Sequence, residues 1–437
     1  MKKNNLFILI FLFLSPFILG NIQEKDGEIF SEQPTFWILS DPHFLTTELH
    51  DQGQSIQDMQ KTSAGKDIFY QEESWELLLK QAKKDQPDAL IITGDLTFNG
   101  EKKSAEKLAS YFAELEEYDI KTFVIPGNHD IYDGWAREYQ DEQQLKTPQI
   151  SPKEFQNIFY PSYEDAKAKD PSSLSYVVEA TPQFQFLFLD TNVYASQTSN
   201  QPPETRGELS KNSLSWIKKQ LKKAQNNKKT TLVFMHHNLF KHNELVYKGF
   251  VLDNASELES LLSSYQVPMV FSGHIHAQDI LQGIESSIIE ITTGSFAIAP
   301  QVIGELRLNS DKIAYQRLTL DTSSNTELQL DEYMKNLFIN DGEQLADQTL
   351  LQHEVYEEIR IPIAKLVGQI NYQFFAGEDY LTTEEVAKWK DTEGYQLLVQ
   401  QKVPFLLDYL ESIIQDTNLP DTELLLEKER VWKIINQ

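Results

Sequence analysis

Phe123-Val124-Ile125-Pro126-Gly127-Asn128-His129-Asp130 decides how the rest of the chain is read. Three apolar residues of aromatic or β-branched type make a buried strand, after which Pro126 removes the next ladder donor and Gly127 lets the backbone turn sharply. Asn128 and His129 are thereby delivered at a strand's C-terminal edge, where open α/β sheets bind ligands. An amide oxygen suits a hard metal, and the imidazole beside it can give or take a proton. Gly-Asn-His is also ordinary turn chemistry, so the other histidines decide.

Other strand ends repeat the device. Thr35-Phe36-Trp37-Ile38-Leu39 passes through Ser40 into Asp41-Pro42-His43, Ala89-Leu90-Ile91-Ile92 ends in Gly94-Asp95, and the run from Thr231 to Met235 ends in His236-His237. Met269-Val270-Phe271 delivers Gly273-His274-Ile275-His276, and the run from Phe184 to Leu189, beside Tyr176-Val177-Val178, stops at the acid Asp190. Amphipathic spacing predicts helices from Glu73 to Lys84, Glu101 to Tyr118, around Leu214-Ile217-Leu221 and from Glu257 to Ser264, with further helical segments near Trp135 and from Pro152 to Phe159. Residues 44–71 carry Gly53 and Gly65 and little periodicity, as a long binding loop or a disordered segment would. The later runs Ser287 to Thr292, Gly304 to Leu308 and Ile313 to Leu318 read as antiparallel strands. Alternating strands and helices predict a layered α/β sandwich over residues 35–325. Past Thr322-Ser323-Ser324-Asn325 glycine becomes scarce and leucine, glutamate, lysine and tyrosine recur at helical spacing, with Thr382-Thr383-Glu384-Glu385 as a capping box. Residues 326–437 are therefore expected to form a separate all-α C-terminal domain.

Composition narrows the chemistry. A chain of 437 residues with 40% apolar content can build two or three packed domains. Its formal charge of -27 repels phosphate polymers, and no basic run interleaved with aromatics offsets it, which excludes a DNA or RNA duplex as partner. A small anionic substrate stays open, because bound divalent cations invert the local field. There is no cysteine, so disulfides, thiolate ligands and a cysteine nucleophile are excluded and any metal sits on nitrogen and oxygen. Lys2 and Lys3, the apolar stretch Leu6 to Leu14 and Ser15-Pro16-Phe17-Ile18-Leu19-Gly20 read as a signal peptide over residues 1–20, or as an uncleaved N-terminal anchor, with a polar linker over 21–34. The expected location is extracellular or at the cell surface, with membrane contact only through that segment.

Taken in order, Asp41-Pro42-His43, Gly94-Asp95, Gly127-Asn128-His129-Asp130, His236 and Gly273-His274-Ile275-His276 resemble the blocks of the calcineurin-like metallophosphoesterases, over about residues 35 to 320. The resemblance implies the metallophosphoesterase fold and two divalent metal ions: Asp41, His43, Asp95 and His276 on one, and Asp95, Asn128, His236 and His274 on the other. A carboxylate with two oxygens suits the bridging place assigned to Asp95. Imidazole, carboxylate and amide together suit manganese, iron or zinc better than calcium. A metal-bridging hydroxide is then expected to attack phosphorus, with His129 as general acid to the leaving oxygen. Asp130 has two readings, a partner that orients His129 or the N-cap of a following helix. Alternation along Phe234-Met235-His236-His237 lets only one of the two histidines reach the metals, and the resemblance implies His236, with His237 behind it; His50, His242 and His353 read as surface or loop residues, with His242 near enough in sequence to line the pocket.

Departures from other branches sharpen the expectation. Gly94-Asp95-Leu96-Thr97-Phe98-Asn99-Gly100-Glu101 lacks the arginine of the protein Ser/Thr phosphatase block, Phe98 stands where purple acid phosphatases place an iron-binding tyrosine, and Asp130 replaces their usual glutamate. The chain looks most like the bacterial class III cyclic-nucleotide phosphodiesterases with a helical C-terminal domain. That implies hydrolysis of cyclic nucleotides or related small phosphodiesters; the alternatives are a broad-specificity phosphomonoesterase and a surface binding protein on the same scaffold.

Overall fold

The computed structural model describes residues 33–325, 328–401, 403, 405–416 and 419–435. The expected signal segment and residues 21–32 of the linker lie outside the described residues. In chain order, β1 (Thr35–Leu39), α1 (Gln54–Gln60), α2 (Gln71–Asp85), β2 (Ala89–Ile92), α3 (Lys102–Glu116) and β3 (Lys121–Val124) come first. A hairpin of β4 (Arg137–Gln140) and β5 (Gln143–Lys146) and the short helices α4 (Pro152–Ile158) and α5 (Tyr160–Glu164) follow. Then come β6 (Ala168–Lys169), β7 (Tyr176–Glu179), β8 (Phe184–Leu189), α6 (Lys211–Asn226), β9 (Thr230–Met235), α7 (Ala255–Ser264) and β10 (Met269–Ser272). The strands β11 (Asp279–Gln282), β12 (Ile289–Thr292), β13 (Val302–Leu308) and β14 (Lys312–Thr319) precede α8 (Leu330–Gln352), α9 (Glu357–Ala376), α10 (Thr383–Lys390), α11 (Glu393–Gln401) and α12 (Leu406–Ile414); the chain then forms β15 (Glu423–Lys428) and β16 (Trp432–Ile434).

Two seven-stranded sheets stack, in the orders β16-β15-β14-β13-β1-β2-β3 and β11-β12-β10-β9-β8-β7-β6. Within them β1, β2 and β3 run parallel, as do β8, β9, β10 and β12, so each set lines up its C-terminal ends. The side-chain period of two splits every central strand between two cores. Phe36 and Ile38 join Phe184, Phe186, Phe188, Phe234 and Phe271 between the sheets, whereas Trp37 and Leu39 pack with Trp75, Leu78 and Leu108 under α2 and α3. Rings stack across neighbouring strands, Phe188 on Phe234 at 5.1 Å and Phe234 on Phe271 at 4.9 Å. Each such ring removes its whole surface from water, roughly 1.5–3 kcal/mol apiece before ordering costs. This double burial explains why the strands read as continuous apolar runs.

Four expectations need correction. No helix forms at Trp135; the chain there turns into the β4–β5 hairpin, whose Tyr139 packs with Leu45, Leu49, Ile56, Ile68 and Phe98. Those same contacts order residues 44–71, which hold α1 rather than a bare loop. Among the later strands β12 is parallel to β10 and antiparallel only to β11, because the loop after β10 carries the chain past β12's place to β11, which then turns back into β12. Finally, residues 326–437 are helical through α8–α12, with the Thr382–Glu385 capping box in place, but they end in β15 and β16 on the edge of β14. Leu424 and Leu426 alternate into the inter-sheet core, a period too short to stand out after so many helical leucines.

Candidate metal centre

The C-terminal ends of β1, β2, β3, β9 and β10 meet at one edge of the sandwich, and each gives up its polar residues in the first turn beyond the strand. Asp41, His43, Asp95, His274 and His276 all have left-handed backbone, with φ between 42° and 68°. Such φ values are disfavoured for residues other than glycine and persist where surrounding structure holds them. Glycines make the approach possible. A Cβ on Gly127 would lie 2.1 Å from Asp95 Oδ1, and one on Gly273 would lie 1.7 Å from Ser40 Oγ.

Two groups of side chains converge, each with its ligand atoms within 4.8 Å of one another: Asp41, His43, Asp95 and His276, and Asp95, His236 and His274. Asp95 belongs to both. In the first group His43 Nε2 lies 3.0 Å from His276 Nε2, and Asp41 Oδ1 lies 3.4 Å from His276 Nε2. Asp95 Oδ2 lies 3.6 Å from His43 Nε2 and 3.5 Å from His236 Nε2. Asn128 Oδ1 completes the second group, 3.1 Å from His236 Nε2. Neighbours set these atoms: Thr93 O accepts from His236 Nδ1 at 2.9 Å, His274 N donates to Asp41 Oδ2 at 2.9 Å, and His129 N donates to Asp95 Oδ1 at 2.8 Å.

Charge and burial agree with that geometry. Burial, with Lys66 next, holds the His43 imidazole well below its ordinary pKa; burial, with His236 next, lowers that of His274 to about 4. Those two neutral rings present lone pairs, whereas on His236 burial lowers the pKa but Asp95 and Asp41 outweigh it and raise it to about 9, so a cation there would take the place of a ring proton. Burial pushes the Asp95 carboxyl up, but His236 and His129 outweigh it and hold the group well below the usual carboxylate range. Asp41 Oδ1 is buried without a hydrogen-bond partner. A buried cage of lone pairs and carboxylate oxygens with its own donors turned outward fits divalent cations on nitrogen and oxygen.

The remaining histidines separate cleanly. His237 points the other way, Nδ1 2.8 Å from Thr191 Oγ1 and its ring against Gly207, outside both groups. His242 does not line the cleft. It is buried between Asp279 Oδ2 at 2.6 Å and Glu290 Oε2 at 3.1 Å, and Glu290 also accepts from Ser272 Oγ, just before Gly273. His50 is half-buried against Phe69. His353 is the exposed C-cap residue of α8.

His129 lies at the mouth of the first group, its ring 5.0 Å from that of His43. Nδ1 is 3.0 Å from Asn99 Oδ1 and 3.4 Å from Asp133 Oδ2, which leaves Nε2 for the cleft. Burial lowers its pKa, but Asp95 and Asp133 outweigh burial and raise it, favouring the protonated ring. Asp130 is neither of the two things expected of it. Its oxygens accept from Leu96 N, Thr97 N, Thr97 Oγ1 and Gly127 N at 2.8–3.1 Å, and residues 129–136 form turns with no helix to cap. Asp130 therefore laces the Asp95 loop to the Asn128 loop. Asn99 and Asp133, the contacts of His129, carry no motif of their own; the one sequence signal is their place in the same two loops.

The calcineurin-like phosphoesterase family matches residues 34–278, a span that includes every side chain of both groups. This chain belongs to that family. Its members use two divalent metals, and here the residues able to hold them are Asp41, His43, Asp95, His276, Asn128, His236 and His274. A second family, the C-terminal domain of cyclic nucleotide phosphodiesterase, matches residues 320–419 of this phosphoesterase. A probable glycerophosphodiester phosphodiesterase GpdQ of Arcobacter nitrofigilis is 28% identical over 214 residues, 48% of this chain and 64% of that protein. The 3',5'-cyclic-nucleotide phosphodiesterase alr5338 of Nostoc is 26% identical over 248 residues, 55% of this chain and 70% of its own. A solved dimetal phosphatase of Danio rerio aligns over 66% of this chain and 98% of its own, at 15% identity and a TM-score of 0.49.

Proposed function

We propose that this phosphoesterase hydrolyses small phosphodiesters, cyclic nucleotides among them, at a dinuclear centre held by Asp41, His43, Asp95, Asn128, His236, His274 and His276. The observation that carries the proposal is the sharing of Asp95 between two converging ligand groups with His129 at their mouth. When bound, the two cations supply Lewis acidity and a nucleophile at neutral pH, and manganese, iron or zinc suits this donor set. The chain supplies the rest. Asn99 and Asp133 fix the His129 ring by Nδ1, so that Nε2–H points to the leaving oxygen of the diester and protonates it as the P–O bond breaks. Asp130 holds the two loops in register so that Asp95 and Asn128 face each other. The C-terminal family match and the Nostoc relative support a cyclic nucleotide; the Arcobacter relative supports a glycerophosphodiester. Export, read from residues 1–20, makes extracellular diesters the fitting pool.

Protein reconstituted in turn with manganese, iron and zinc is assayed on bis(p-nitrophenyl) phosphate, p-nitrophenyl phosphate and a panel of cyclic nucleotides. Faster turnover of diesters than of the monoester is expected. His129→Ala should cost ~10²–10⁴-fold on a cyclic nucleotide, whose alkoxide needs a proton, and much less on p-nitrophenolate leaving groups. Absence of turnover with all three metals refutes the proposal.

A further inference from the structure

Beside the metal centre a cavity of about 460 Å³ opens between α1, the Phe98–Asn99 turn and the β4–β5 hairpin. His129 and Asn99 form the side next to the metal centre, and Lys66, Phe98, Trp135 and Arg137 stand among the other walls. No aspartate or glutamate lines it among the described residues, although the chain as a whole carries -27. A cationic, part-aromatic cavity in an acidic protein selects an anion with a flat apolar body.

Two lining residues give the cavity its chemistry. Lys66 is pinned by its backbone: its carbonyl accepts from Gln60 Nε2 and Ser63 Oγ, both at 2.7 Å, and Asp67 N reaches Ala297 O at 2.9 Å. Its ammonium is part-buried and has no carboxylate within 4.0 Å among the described residues, yet it lies close enough to feel Asp95 and Asp41. Asp341 of α8 also acts on it from outside the cavity lining, and once Asp95 and Asp41 are engaged by metal a phosphate in the cavity can take their place beside the ammonium. Trp135 is the other. The residue is 49% exposed, while its backbone N–H donates to Asp133 Oδ1 at 2.7 Å and Arg137 Nη1 braces the same turn through Gly134 O and Ala136 O. A held backbone with a free indole is a stacking platform, and it hangs from the same Asp133 that orients His129.

Resting on the phosphodiesterase reading, we propose that this cavity is the base subsite for a nucleoside phosphate, with Trp135 stacking the base and Lys66 binding a non-bridging phosphate oxygen. The two cations argue against the quaternary ammonium headgroup of a choline diester, which an aromatic wall alone would welcome. Neither residue belongs to the motif blocks.

Binding to the metal-loaded full chain separates the two roles without relying on turnover. Isothermal titration with AMP and with adenosine should show Trp135→Ala weakening both about tenfold, as loss of one base-aromatic stack does, with Trp135→Phe restoring most of it. Lys66→Ala should weaken AMP about tenfold or more and leave adenosine binding as in the parent. Failure of the parent to bind AMP at millimolar concentration, or an AMP affinity in Trp135→Ala within twofold of the parent, overturns the base subsite. Equal losses for AMP and adenosine in Lys66→Ala overturn its phosphate role. Intact nucleotide binding without hydrolysis of any diester would instead sink the phosphodiesterase reading alone.

Discussion

Replacing His242 by glutamine tests whether a buried charge outside the metal centre holds the loop that carries His274 and His276. The imidazole bridges Asp279 and Glu290 with a fully buried side chain, and Glu290 in turn accepts from Leu239 N, Phe240 N and Ser272 Oγ. Burial lowers the His242 pKa, but the two carboxylates outweigh it and carry it up to about 10. Removing one partner of a buried ion pair costs about 3–5 kcal/mol, because the partner charges stay behind. An unfolding entropy of ~2.1 cal/mol/K per residue over some 400 residues gives ~0.8 kcal/mol/K, so the thermal midpoint should fall by about 5 °C. The sign with pH follows from a folded-state pKa above the unfolded value of ~6.5. The stabilisation is complete below that pH and is lost as pH rises towards 10. Differential scanning calorimetry of parent and His242→Gln should therefore show the widest gap near pH 6 and a closing gap near pH 10. A gap under 1 °C at pH 6, or one that widens with pH, would show that His242 is not a buried cation.

Three further outcomes follow from the contacts. Asp130→Ala strands four donors in the two metal-facing loops, which should cost about 3 kcal/mol or more and, on the same protein, lower the metal content after dialysis, read by plasma mass spectrometry. Gly273→Ala puts a Cβ into Ser40 Oγ and 2.5 Å from Asp41 Oδ2, so metal binding should weaken even where the protein folds; unchanged affinity in a chelator competition would contradict that packing. Asp133→Asn keeps the volume and removes the charge beside His129, so cyclic-nucleotide turnover should fall about tenfold with a smaller loss on bis(p-nitrophenyl) phosphate, and equal losses would deny it a part in holding the acid's proton.

The strand ends were legible because each block is local: a run of apolar residues, a turn and a polar side chain lie within eight residues of one another, as in Phe123 to Asp130. Long-range contacts were not. Asp130 looked like a partner for its neighbour His129, yet its bonds go to Leu96 and Thr97, over thirty residues away. Lys66 sits in a stretch with little periodicity whose order comes from packing Leu45, Leu49 and Ile56 against Tyr139, a contact set that spacing cannot show. His242 read as a surface or loop residue because its acidic partners come from β11 and β12. The β4–β5 hairpin lacks alternation, since β5 is exposed along its whole length, and so it offered no period to read.

The return of β15 to β14 has a practical consequence. Gln316 pairs with Glu423, and Arg317 N bonds Thr422 O, so the five helices occupy the connection of an ordinary antiparallel hairpin. They are spliced into the sheet, not hung from its end. Cutting the chain after β14 would strip β15 and the edge strand β16 and bare the Ile313–Tyr315 side of the inter-sheet core to solvent and to other chains. Excision that rejoins Leu320 to Asp421 through a short turn should instead leave the sandwich closed, and loop-closure entropy favours the shorter connection. That design would give the catalytic sandwich by itself for direct comparison with the full chain.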